Sequence, residues 1–187
     1  MTLKRSLSLI LLVTLSLTST AFADQIFETQ YNAYVDDFYS KVIPEYHIVN
    51  DGIIRGGRPQ KGDLAMLKKQ GVKTIINIDD SDSALKTELA EAKKLGIDYI
   101  SSPLSSFSTP KDDQVNMILE ALQDPTKQPV FLHCKHGQDR TGMIMGLYRY
   151  RVDKWTAREA YAEMKELGFH SILRSLDKYF KKQTNYK

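Results

Sequence analysis

Apolar positions along the chain fall into short runs separated by stretches of helical spacing. IFETQYNAYVDDFYSKV, residues 26–42, is partly amphipathic and predicts a helix. HIVNDGIIRGG, 47–57, predicts two short strands folded about Asn50-Asp51-Gly52. LAMLKKQG, 64–71, predicts a short helix ended by Gly71, and TIINI, 74–78, a buried strand. SALKTELAEAKKLG, 83–96, places acids early and lysines late, as a helix dipole favours. IDYIS, 97–101, is the next strand, and PLSSFST is a loop. Thr109 as N-cap and Pro110 at the first position predict a helix to about Leu122. PVFLH, 129–133, is an apolar strand, and from Arg140 or Thr141 the run TGMIMGLYRYRV predicts a buried helix. Thr156 and Glu159 form a capping box for a helix to about Leu167, and 171–182 makes the last helix.

Strands alternating with helices predict an α/β fold: a single domain with a twisted, mostly parallel central sheet of about 4–5 strands flanked by helices. Ligands in such sheets bind beyond the strand C-termini. Cys134 stands at such a terminus, with a helix following.

The N-terminus modifies this picture. Lys4 and Arg5 precede the apolar run Leu7 to Leu17, and Ala21-Phe22-Ala23 is a small-residue cleavage signal. We therefore expect residues 1–23 to be a signal peptide, 24–187 to be the single functional domain, and the product to be periplasmic or secreted. Removal of Lys4 and Arg5 lowers the net charge from +3 to about +1. Such a charge gives no support to a nucleic-acid partner, and no second apolar run is long enough for stable membrane insertion. Oligomeric state is not legible. The chain has one cysteine, so no internal disulfide can form. A lone cysteine is ordinarily a small buried apolar residue, but the neighbours of Cys134 suggest chemistry.

VFLHCKHGQDRTGMI, 130–144, reads as an anion cradle. A tight loop between strand and helix turns successive N–H groups inward, and the helix adds its positive end. Gly137 permits a backbone that side chains would obstruct. Arg140 can hold a phosphate through two parallel hydrogen bonds. The same field favours the thiolate of Cys134. Thr141 is placed to donate to that sulfur, His133 to fix the loop, and Lys135, His136 and Gln138 to meet substrate. The chemistry that follows is phosphomonoester hydrolysis through a phosphocysteine, with no metal or cofactor required. The partner is a small anionic phosphorylated substrate.

The string His133-Cys134-x-x-Gly137-x-x-Arg140-Thr141-Gly142 resembles the signature of the cysteine-based protein-tyrosine-phosphatase superfamily. The wider resemblance spans about residues 46–180 and implies a dual-specificity-phosphatase-like fold. Superfamily members commonly take a general acid from the loop after the preceding strand. Here that loop carries Ser106 and Phe107 where similar phytases have an Asp-His pair. Asp139, immediately before Arg140, is the expected acid, as the resemblance to myotubularins and Sac-type phosphatases implies; otherwise it orients Arg140 or caps the helix. Asp112 and Asp113 are alternatives that would otherwise complement a helix N-terminus. Asp80 and Asp82, with Asp79, are further alternatives that would otherwise form a turn.

Lys135 and His136 suit a substrate bearing several phosphates. The expected function is therefore an inositol polyphosphate phosphatase resembling the small bacterial phytases. The alternatives are a protein tyrosine or dual-specificity phosphatase, a phosphoinositide phosphatase, and a non-catalytic phosphate-binding module. Arg55 and Arg58 are read as structural, Tyr148 and Tyr150 as core, and His170 receives no role.

Overall fold

Short β-rich runs become strands because each is too short to bury a helical face and is bounded by turn residues. The structure is a computed structural model that describes residues 38–187 and, before them, residues 22, 25, 26, 29, 30 and 35. Packing divides the chain into Met1–Phe38 and Tyr39–Lys187. In the first unit the described residues are helical, and the Thr29 hydroxyl donates to the Gln25 carbonyl at 2.8 Å. The apolar run Leu7–Leu17 and the expected cleavage point after Ala23 lie outside the described residues.

The second unit begins with β1 (His47–Asn50) and β2 (Ile53–Gly56), an antiparallel pair turning at the expected Asn-Asp-Gly. There follow α1 (Asp63–Lys69), β3 (Thr74–Asn77), α2 (Asp82–Leu95), β4 (Asp98–Ser101), α3 (Asp112–Gln123) and β5 (Val130–His133). The chain closes with α4 (Asp139–Arg151), α5 (Ala157–Glu166) and α6 (Arg174–Thr184). The sheet runs β1-β2-β5-β3-β4, and every pairing except β1 with β2 is parallel. From β2 the chain advances to β3 and β4, then returns to β5. Crossovers of one hand put the advancing helices and the returning helix on opposite faces.

The side chains follow that division. Ile54, Ile75 and Phe131 form one row and pack beneath Leu64, Leu67 and Ala92 of α1 and α2. Ile53, Ile76, Val130 and Leu132 point to the other face, against α3 to α6. β5 lies at the centre, covered on both faces, so all four of its residues are apolar or internally bonded. Helix α4 is buried from Arg140 through Tyr148, which explains its lack of an amphipathic pattern.

Two boundaries depart from expectation. Helix α3 begins at Asp112 rather than at Pro110, and Lys111, not Thr109, is its N-cap residue. Tertiary contacts set this start. Tyr179 and Gln183 of α6 both donate to Asp112 Oδ1 at 2.8 Å, and Gln114 Nε2 donates to the Pro103 carbonyl at 2.7 Å. Helix α6 begins at Arg174, because residues 170–173 form a turn closed by Leu173 N–H on the His170 carbonyl at 3.0 Å. The capping box of α5 is present as expected.

Gly146 lets α4 approach α5 and α6. A Cβ there would lie 2.4 Å from Met164 Sδ and 3.0 Å from the Phe180 ring. Gly146→Val should lower unfolding free energy by about 1–3 kcal/mol through overpacking. Urea titration checks this.

Candidate active site

Parallel register places Gly56, His133 and Asn77 in one row at the C-terminal edge of the sheet. Three chain segments therefore leave the sheet side by side: Gly57-Arg58 after β2, Cys134 after β5, and Ile78-Asp79-Asp80 after β3. The site is assembled from these three exits.

Cys134 lies at the floor of its loop, 2% exposed, and the Gly137 N–H donates to its sulfur at 3.3 Å. The loop carbonyls are drawn outward. Arg55 Nη2 donates to the Gly137 carbonyl at 2.7 Å, and Arg58 N–H donates to the Lys135 carbonyl at 3.2 Å. With these two carbonyls occupied outside, the Gly137 N–H is turned toward the sulfur, the polarity that a concave anion site requires. Gly137 has a φ of +82°, and a Cβ would fall 2.6 Å from the backbone of Gly56 and of Gly57. Both observations require glycine.

Arg55 is wholly buried on β2. Burial pulls its guanidinium below the ordinary value, and the charges of Glu163, Cys134 and Glu45 oppose that shift. The loop brace is thus a buried guanidinium bonded to the Gly137 carbonyl.

Arg140, 5% exposed, is fixed by the exit of β3. Its Nη1 donates to Asp80 Oδ1 at 2.6 Å and to the Leu104 carbonyl at 3.0 Å, and Nη2 stands 3.5 Å from Asp79 Oδ1. Asp79 is itself bound by Arg58, with Nε at 2.7 Å and Nη2 also donating, and its N–H donates to Asn77 Oδ1 at 2.7 Å. Nη1 therefore uses both hydrogens on the protein. The edge formed by Nε and Nη2 is the part of the guanidinium suited to a bidentate phosphate. Burial of Asp80 favours its neutral form, but the hydrogen bond and charge of Arg140 outweigh this and hold the carboxyl below its ordinary value.

Beneath the loop runs a buried polar chain. His133 Nε2 lies 2.7 Å from Glu88 Oε1, and Nδ1 lies 3.3 Å from the Cys134 carbonyl. Asn77 Nδ2 donates to Glu88 Oε2 at 3.1 Å and to the Tyr99 hydroxyl oxygen at 2.7 Å. Burial, then the adjacent Glu88 charge, pushes the Tyr99 phenol upward. Both ring nitrogens of His133 are thus in contact, one with Glu88 and one with the Cys134 carbonyl. Its partner Glu88 escaped the sequence reading, although it lies four positions before buried Ala92, on the same face of α2.

Several expected site residues lie elsewhere. Lys135 and His136 are exposed on the lip of the loop. Gln138 is not available to substrate: its amide donates to Glu45 Oε1 at 2.8 Å and packs under Gly168. The Thr141 hydroxyl is buried and makes no hydrogen bond, and the sulfur is bonded by Gly137 N–H instead. Asp112 is held by α6, so it does not serve as a free acid, and Asp113 and Asp82 are exposed in the first turns of α3 and α2. Asp80 reaches the site as a partner of Arg140. Asp139 turns its carboxylate to His170, accepting the His170 N–H at 2.8 Å, with Nδ1 of the same residue at 3.1 Å. Among the described residues no group of three or more His, Cys, Asp and Glu side chains is disposed to hold a metal ion.

Fold and loop together define the class, a domain of the cysteine-based protein-tyrosine-phosphatase type. The family described as PTP-NADK, a DSP-PTPase phosphatase fused to NAD+ kinase, matches residues 40–182, and the chain belongs to it. Over 119 residues the chain is 33% identical to the dual specificity protein phosphatase TpbA of Pseudomonas aeruginosa strain UCBPP-PA14, covering 63% of this chain and 51% of that protein. It is 27% identical over 138 residues to inositol diphosphatase DSP2 of Oryza sativa subsp. japonica, covering 71% of this chain and 65% of that one. The matches thus span roughly half to two thirds of these relatives. The crystal structure of P. aeruginosa TpbA superposes with a TM-score of 0.64 at 25% identity, over 74% of this chain and 84% of that one. The catalytic core of the PP-IP phosphatase SIW14 from S. cerevisiae, in complex with citrate, gives a TM-score of 0.64 at 21% identity, over 78% and 96%.

Gly137→Ala should preserve the global fold and abolish binding of phosphate mimics such as vanadate, because the loop must open to admit the methyl group. Circular dichroism together with vanadate titration reads the two effects separately.

Proposed function

We propose that the chain is a cysteine-dependent phosphomonoesterase whose preferred substrates are inositol polyphosphates. The observation that carries this reading is the pairing of a buried thiol and guanidinium with an exposed lip carrying Lys135 and His136. Cys134 Sγ attacks phosphorus in line. The loop N–H groups and the Nε–Nη2 edge of Arg140 hold the equatorial oxygens as the S–P bond forms and the ester O–P bond breaks. Water then attacks the phosphocysteine, releasing phosphate and restoring the thiolate. Additional phosphates on a polyanionic ring find Lys135 and His136 at the lip, where a monophosphate leaves them unused. The likeness to a plant inositol diphosphatase and to the SIW14 phosphatase core supports this substrate class. Export is part of the proposal: Lys4-Arg5, the apolar run and Ala21-Phe22-Ala23 direct the domain out of the cytosol, where inositol phosphates serve as a phosphate source.

A second reading is favoured by Phe107, which is 83% exposed on the loop between β4 and α3 and is tethered by Ser175 Oγ donating to its carbonyl at 2.9 Å. Such an aromatic could cover a phosphotyrosine ring, and TpbA has been crystallised with phosphotyrosine.

Residues 24–187, assayed without added metal, should release phosphate from inositol hexakisphosphate faster than from phosphotyrosine peptides. The reverse order supports the second reading. Cys134→Ser should lose turnover on every substrate while still binding phosphate; near-normal turnover rules out the covalent scheme.

A further inference from the structure

We propose that His170, oriented by Asp139, is the proton-transfer residue of this site. The proposal rests on the phosphatase reading above. His170 stands in the turn between α5 and α6 and is more than half exposed. Its backbone N–H donates to Asp139 Oδ1 at 2.8 Å, and its ring Nδ1 lies 3.1 Å from the same oxygen. A carboxylate oxygen only accepts, so Nδ1 carries the hydrogen between them. The other ring nitrogen, Nε2, is on the opposite edge of the imidazole and is left for chemistry.

The turn is pinned to the phosphate-binding loop at two consecutive residues. Gly168, with a φ of +84°, lies so close over Gln138 that a Cβ would be 2.8 Å from Nε2 of that side chain. Asp139 holds His170 two residues further on. Buried Phe169 sits between them, with its N–H donating to the Met164 carbonyl at 2.9 Å and its carbonyl accepting from Lys165 Nζ at 2.6 Å. An exposed histidine is ordinarily mobile. This one is fixed by backbone and ring against the residue preceding Arg140.

Three of the competing acids are engaged. Asp79 and Asp80 face Arg140, Asp112 is held by α6, and residues 105–108 of the neighbouring loop are Ser, Ser, Phe and Ser. In the first step the His170 imidazolium donates its Nε2 proton to the leaving oxygen as the O–P bond breaks and the Cys134 S–P bond forms. In the second step the neutral imidazole takes a proton from the attacking water as S–P breaks. Asp139 stabilises the imidazolium and fixes its tautomer.

The test compares His170→Ala and His170→Gln with the unsubstituted chain on two substrates, by kcat/KM, which reports phosphoenzyme formation. On an alkyl phosphate, whose leaving oxygen needs a proton, both variants should lose roughly 10²–10⁴-fold. On 4-nitrophenyl phosphate, whose leaving group needs none, the loss should be about threefold or less, well short of a full acid-catalytic contribution. Added imidazole should restore part of the alkyl-phosphate rate to His170→Ala. Equal losses on both substrates, or an unchanged alkyl-phosphate rate, overturn the proposal. Hydrolysis of 4-nitrophenyl phosphate by the unsubstituted chain tests the phosphatase reading by itself; its absence removes both.

Discussion

The site depends on the loop from Cys134 to Arg140 keeping its carbonyls turned outward. Peptide groups carry a donor and an acceptor in opposite directions, so a loop presents its N–H groups inward only if its carbonyls find partners outside. Arg55 and the Arg58 N–H supply those partners, the first from within β2 and the second from the segment that leaves it. Gly137 and Gly57 make the close approach of the two segments sterically possible. The sheet register fixes where the segments meet. A one-residue slip of β5 against β2 would move Cys134 away from both braces and turn His133 to the opposite face.

Charge is balanced around this loop with little surplus. Arg140 meets Asp80 and Asp79, Asp79 meets Arg58, and His133 meets Glu88. A buried charge without a partner is costly, so a cradle for anions in a folded, unliganded protein needs local countercharges. Here Asp80 and the Leu104 carbonyl take up Nη1 of Arg140, and Asp79 stands between Arg58 and Nη2 of Arg140. The arrangement keeps the guanidinium still and leaves one edge for phosphate, so binding requires little reorganisation. The small net charge of the chain therefore says little about this site, where the charges are arranged locally.

Much of this was legible in the sequence because the signals were local. Short apolar runs gave β3 and β5, Asn50-Asp51-Gly52 gave the hairpin, and Thr156 with Glu159 gave the cap of α5. The loop itself was legible because its residues are contiguous and their roles follow from type and spacing. What could not be read was contact between distant segments. Gln138 looked like a substrate contact until Glu45 claimed its amide. Asp112 looked available until Tyr179 and Gln183, far along the chain, reached it. Thr109-Pro110 has the form of a helix start, and tertiary bonds moved that start to Asp112. His170 carries no motif, and its link to Asp139 exists only because α4 and α5 fold back on each other. Glu88 was the most recoverable omission, since an acid on the core-facing side of an amphipathic helix requires a buried partner.

The account stands or falls on Cys134 acting as a nucleophile within that cradle. The most direct measurement is the intact mass of the enzyme, acid-quenched during turnover of an activated phosphate ester, followed by peptide mapping. The account predicts one added phosphoryl group on the peptide bearing Cys134, absent when Cys134 is replaced by serine. Turnover with no phosphorylated species on that peptide, under conditions where its hydrolysis is slowed, would contradict it.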